Sequence, residues 1–226
     1  LPMTLIRINQ LSSHVRLALW QMTERVEDMF CPPILDLSDI RSEHRRKERL
    51  VAYEMLHALT GRRDLLIQHE ASGRPFIEGY KVSISHTRGW AAMMLSDDRE
   101  VGVDIEYQSD RVNKIVERFM RPDEDDSSLD RRLIDWCAKE AVYKLRSPED
   151  LQYFEMRVRF SEVPLTESSL PSSAKSLSEM TENPAEKSAA CAPEGIVWVD
   201  DLKKNDTLMV NYEKNDHYVL AWLMER

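Results

Sequence analysis

Glycine is the first scarcity: six in 226 residues. That leaves little for a glycine-rich phosphate cradle, and neither a Walker-type nor a dinucleotide-type glycine pattern occurs. Cysteine is scarce as well. Cys31, Cys137 and Cys191 are odd in number, far apart and without C-x-x-C spacing, which argues against a disulfide framework and a cysteine zinc site. Positive charge falls short of negative, 31 Lys and Arg against 40 Asp and Glu, a net charge of −9. General nucleic-acid binding needs the opposite balance. No stretch of eighteen apolar residues occurs, nor an apolar leader with a cleavage site, so the expectation is a cytoplasmic protein with no membrane partner.

What is present fits a water-soluble globular chain: 42% hydrophobic and 31% charged residues, enough for one large domain or two modest halves around a shared core. The acidic balance leaves room for a local basic patch, and Arg41 to Arg49 form one.

The pattern reads as strands and helices in two successive halves, hence α+β. His14 to Met22 alternates as a strand does. Ser38 or Asp39 is expected to cap a helix running to Leu59, with Leu50, Tyr53, Leu56 and Leu59 as its buried stripe and Gly61 as its stop. Strands follow at Lys81 to Ser85, Trp90 to Leu95 and Val101 to Tyr107, with turns at His86–Gly89 and Asp97–Glu100. Val112 to Met120 and Leu129 to Leu145 read as helices. Phe154 to Phe160 alternates strictly, a strand with one face in a core, and Ile196 to Val199 restarts the chain after a Ser-, Pro- and Glu-rich stretch from Pro164 to Glu194, expected to be a long loop or disordered insertion. Leu208 to Tyr212 and Tyr218 to Trp222 read as a hairpin.

Four short motifs carry chemistry. In Gly102-Val103-Asp104-Ile105-Glu106, residues two apart on a strand share a face, so Asp104 and Glu106 point together. Two carboxylates side by side suit a hard cation such as magnesium; the alternative is a solvated strand edge. In Trp136-Cys137-Ala138-Lys139-Glu140-Ala141-Val142-Tyr143-Lys144, Trp136, Glu140 and Lys144 lie on one helix line. Glu140 would complete a three-carboxylate metal site and Lys144 neutralise a phosphate oxygen; the alternative is an ordinary Glu–Lys helix pair. Ser83-Ile84-Ser85-His86-Thr87 ends a strand with a His and hydroxyls that suit an anion, or with a structural His. Gly73-Arg74-Pro75 reads as a turn and Arg45 to Arg49 as a solvated helix face.

Taken in order, G-R-P, S-I-S-H-T, G-V-D-I-E and W-C-A-K-E-A-V-Y-K resemble the signature of the Sfp-type 4'-phosphopantetheinyl transferases, over about residues 40 to 160. The resemblance implies two similar α/β halves, residues 1–101 and 102–226, related by a pseudo-twofold axis, with coenzyme A in the cleft between them. It implies transfer of 4'-phosphopantetheine from coenzyme A to a serine of an apo-carrier protein (acyl or peptidyl), with release of 3',5'-ADP. By position, Asp104, Glu106 and Glu140 would hold Mg2+, and Glu140 would also help deprotonate the serine. Lys144 would contact a phosphate, Ser85 and His86 the 3'-phosphate with help from Arg41 and Arg46, and Arg74 and Pro75 would border the adenine. Tyr53 departs from the pattern, standing where many relatives carry a basic residue. The 164–194 segment has no counterpart, and a monomer is expected. The rival readings are a magnesium-dependent phosphohydrolase or nuclease, and a catalytically silent coenzyme A-binding module of the same fold.

Overall fold

The structure is a computed structural model that describes residues 5–33, 35–124, 127–160 and 194–225. The Pro164–Glu194 stretch therefore lies outside the described residues up to Glu194. The strands are β1 (Leu5–Gln10), β2 (Val15–Gln21), β3 (Gln68–His69), β4 (Pro75–Phe76), β5 (Lys81–Thr87), β6 (Trp90–Ser96), β7 (Val101–Tyr107), β8 (Met156–Phe160), β9 (Gly195–Asp201), β10 (Asp206–Lys214) and β11 (Tyr218–Met224). The helices are α1 (Glu43–Thr60), the short α2 (Val116–Phe119) and α3 (Leu129–Leu145). No helix among the described residues is long and apolar enough to cross a membrane.

Two large antiparallel sheets form, in the orders β1-β2-β6-β5 and β7-β11-β10-β9-β8, and β3 and β4 pair as a small third. Each large sheet carries one long helix. The same order recurs in both: a strand, the long helix, two further strands, then a hairpin whose second strand inserts beside the first, giving β2-β6-β5 in one sheet and β7-β11-β10 in the other. No sequence repeat betrays this likeness.

Both faces of each large sheet are covered, and period-2 alternation sorts the side chains. On β2, Ala18 and Trp20 turn to a core under α1, while Val15, Leu17 and Leu19 turn to a second core shared with Val103, Ile105, Leu220 and Trp222 of the other sheet. A third core lies between α3 and its own sheet. The layers run helix, sheet, sheet, helix.

Several boundaries differ from the sequence expectation, each for a local reason. The cap of α1 is Ser42, whose hydroxyl accepts from the Arg45 amide; Ser38 belongs to a preceding turn, its amide bonded to Asp36 at 2.8 Å. Gly61 does end the helix, in the left-handed conformation. β5 runs on through Thr87, so the turn shrinks to Arg88 and Gly89. Val112 to Met120 does not form one helix: a 3-10 turn (Asp110–Lys114) and α2 meet at Ile115, whose backbone is non-helical. Phe154 sits in a 3-10 turn closed by a Gln152–Glu155 capping box and is 47% exposed, so only Met156 and Val158 of that alternation are buried.

Candidate active site

Ser83, Ser85 and Thr87 alternate along β5, and each hydroxyl accepts a backbone N–H of β7: Val103 at 3.0 Å, Ile105 at 3.3 Å and Tyr107 at 3.4 Å. The two strands belong to different sheets and run side by side in the same direction, joined by side chains where backbone pairing is lacking. This seam delivers the D-x-E carboxylates to the junction of the sheets.

From the other side, α3 brings the line expected from its sequence. The Trp136 indole donates to Glu106 Oε1 at 3.1 Å, and Lys144 Nζ lies 2.7 Å from Asp104 Oδ1 and 3.1 Å from the Val103 carbonyl. Close packing of α3 on β7 depends on Gly102, where an added Cβ would stand 2.1 Å from the Ala141 carbonyl oxygen.

The carboxylates are more enclosed than a strand edge would leave them. Asp104 is buried, and Ser85 also donates to its Oδ1 at 2.7 Å. Its Oδ2 is buried with no hydrogen-bond partner among the described residues, an unusual cost for a carboxylate. Thr87 donates to Glu106 Oε2 at 3.0 Å, and the Tyr153 hydroxyl donates to Glu140 Oε1. Burial first, then the charge of Asp104, raises the pKa of both Glu106 and Glu140 above the ordinary carboxylate range. Three neighbouring hard-oxygen side chains, one with a buried oxygen that lacks a hydrogen-bond partner among the described residues, fit a divalent oxygen-loving cation. They are not drawn into a tight cluster: among the described residues, ligand atoms all within 4.8 Å of one another occur at the exposed His14, Asp97 and Asp98. There Asp97 is already paired with His14, and Asp98 with Arg99.

Since Glu140 has a raised pKa in the fold, its ionised form opposes folding, and stability falls as pH rises through that pKa. Glu140→Gln is accordingly expected to raise the Tm at neutral pH, which thermal melts of the variant beside the wild type check.

Beside the seam lies a cavity of about 740 Å³, lined by Arg41, Arg45, Arg49, His69, Pro75 and His86 among others. A second, of about 450 Å³, contains Arg88, Glu106, Arg111 and Trp136, and shares Glu48 and His86 with the first. Of the residues expected at the nucleotide, Arg41, Pro75 and His86 thus come together. Arg46 bonds the Ile40 carbonyl, Arg74 pairs with Glu100 and faces another hollow, and Ser85 is buried in the seam. Arg45, Arg49 and His69 stand in the larger cavity instead, with an Arg49 guanidinium nitrogen 3.3 Å from His69 Nε2. Burial lowers the pKa of His86, and Glu48, 3.1 Å away, opposes that shift.

Sequence reasoning missed Tyr153, Glu48 and His44. Nothing in the local pattern marks Tyr153. The hydroxyls at 83, 85 and 87 did carry a signal, since three on alternate residues mark one polar strand face.

Residues 100–192 match the family model of the 4'-phosphopantetheinyl transferase superfamily, a span that includes β7 and α3 with all three carboxylates and Lys144. The family is named for the transfer of 4'-phosphopantetheine. No curated protein matches the chain.

Proposed function

We propose that this chain, which carries a 4'-phosphopantetheinyl transferase superfamily domain, transfers 4'-phosphopantetheine from coenzyme A to a serine of an apo-carrier protein with magnesium present. The observation that supports this most is the meeting of Asp104, Glu106, Glu140 and Lys144 across β7 and α3, beside a cavity bearing three arginines and two histidines.

Asp104, Glu106 and Glu140 would hold the magnesium, which would supply charge compensation for the pyrophosphate. The carrier serine oxygen bonds to the phosphorus bearing pantetheine, the bond from that phosphorus to the bridging pyrophosphate oxygen breaks, and 3',5'-ADP departs. Such a reaction needs positioning and charge compensation more than covalent help. Lys144, fixed on Asp104, supplies positive charge at the reacting end. Tyr153 holds Oε1 of Glu140, leaving Oε2 to take the serine proton, directly or through water. Arg41, Arg45, Arg49 and His86 hold the nucleotide, a remote handle whose binding steadies the reacting end. Carrier proteins are acidic and so is this chain, so recognition uses a local patch and not overall charge.

The test is to incubate the protein with an apo-carrier, coenzyme A and magnesium, and weigh the carrier. The expected result is a gain of one phosphopantetheine on serine. Hydrolysis of phosphate esters with the carrier unchanged would favour the phosphohydrolase reading. In the same assay coenzyme A is expected to outcompete dephospho-coenzyme A, and His86→Ala to narrow the gap; equal use of the two by the wild type removes the 3'-phosphate role of His86.

A further inference from the structure

Glu48 stands where the two cavities meet, lining both, as does His86. Each of its carboxylate oxygens takes a different imidazole: Oε1 lies 2.8 Å from Nε2 of His44 and Oε2 lies 3.1 Å from Nε2 of His86. His44 and Glu48 are one helical turn apart on α1, whereas His86 arrives from β5. The order of cover is telling. The Glu48 side chain is 16% exposed, and the rings it holds are 60% and 46% exposed. An isolated surface pair on a helix contributes a few tenths of a kcal/mol and gives its carboxylate no reason to sit beneath two rings from separate elements. A carboxylate on one ring nitrogen fixes the imidazole's orientation and favours its cationic form, which leaves the other nitrogen as a donor. The walls around it are cationic too: Arg41, Arg45 and Arg49 on one side, Arg88 and Arg111 on the other.

We propose that Glu48 aims His44 and His86 as a paired imidazole clamp on a phosphoryl group lying across the junction of the two cavities. His44 is then a ligand contact and Glu48 a positioning residue. The proposal rests on the nucleotide reading above and adds two residues to it. Besides Glu48 and His44, the charges acting on His86 are Lys144 from α3 and Asp104 from β7, of opposite sign.

The experiment is calorimetric titration of 3',5'-ADP, with adenosine as the phosphate-free control, into the wild type, His44→Gln and Glu48→Gln from about pH 5 to 8, a window that reaches below the ordinary imidazole value because burial lowers that of His86. Each substitution is expected to weaken 3',5'-ADP about tenfold near the acid end, the size of one charge-assisted hydrogen bond, and to leave adenosine nearly unchanged. Binding of 3',5'-ADP should weaken as pH rises and His86 loses its proton, which its burial makes easier. Glu48→Gln should move that weakening to lower pH, a displacement that loss of packing alone would not produce. Tighter or unchanged 3',5'-ADP binding by Glu48→Gln would mean that the carboxylate merely repels phosphate, and overturns the clamp. So does an unchanged His44→Gln, which also decides the matter if Glu48→Gln lowers Tm. Wild-type binding with indifferent variants sinks the clamp alone; a wild type that binds no 3',5'-ADP sinks the transferase reading with it.

Discussion

Asp104→Asn is expected to reduce phosphopantetheine transfer by at least about a thousandfold, the loss that follows removal of a charged group on which transition-state electrostatics depend. The side chain keeps its shape and can still receive the Ser85 hydroxyl. It loses the charge that pairs with Lys144 and that an oxygen-loving cation would require. Oδ2 already has no hydrogen-bond partner among the described residues, so the amide in its place loses no hydrogen bond there, and the modest stability cost comes from the weakened pairing with Lys144. Two measurements separate these effects: single-turnover transfer at saturating coenzyme A, and the shift in Tm on adding magnesium. Wild-type transfer at limiting magnesium would remove Asp104 from the metal site.

The second large effect needs no functional assay. Gly102→Ala should lower stability by about 3 kcal/mol and Tm by about 6 to 12 °C, typical of overpacking in a chain this size. Alanine suits a strand at least as well as glycine, so local preference argues for no loss. The loss comes from contact: the new methyl would lie 2.1 Å from the Ala141 carbonyl and 3.0 Å from both Leu145 Cβ and Leu223 Cδ2. The first is backbone, so α3 must move as a body, carrying Glu140 and Lys144 away from β7. Transfer should fall together with Tm. A variant that melts with the wild type would show that the helix has slack against its strand.

That glycine marks where the sequence stops being legible. It is visible in G-V-D-I-E, but nothing in the motif says which residue will lie above it. Elements with a clear period were readable: α3 spans Leu129–Leu145 as its stripe of Leu133, Cys137, Ala141 and Leu145 implies, and β7 and the final hairpin lie where alternation put them. Val112 to Met120 misled because nine residues hold too few turns for period to override local turn chemistry. Phe154 misled because its alternation with Met156 continued into a turn. At the site, the Trp136–Glu140–Lys144 line followed from helix geometry; its meeting with Asp104 and Glu106 was one of two readings of the residues, and the resemblance favoured it. Arg74 was assigned through Gly73-Arg74-Pro75 and Arg46 through the basic run Arg41 to Arg49; in the fold Arg74 pairs with Glu100 and Arg46 with the Ile40 carbonyl. Glu48 went unnoticed because its role comes from strand β5, 38 residues on, bringing His86 against it.

The hydroxyl seam between β5 and β7 has a consequence for how this chain tolerates change. In an ordinary sheet any residue supplies the backbone groups that set alignment, so substitution is nearly free of register error. Here the alignment of two sheets is written in side chains at 83, 85 and 87. A one-residue slip of β5 turns all three hydroxyls to the opposite face, and it shifts His86 relative to Asp104 in the same stroke. The histidine beside the larger cavity and the carboxylates under α3 are thereby tied to one spacing, so drift in either strand must be matched in the other or both lose alignment together.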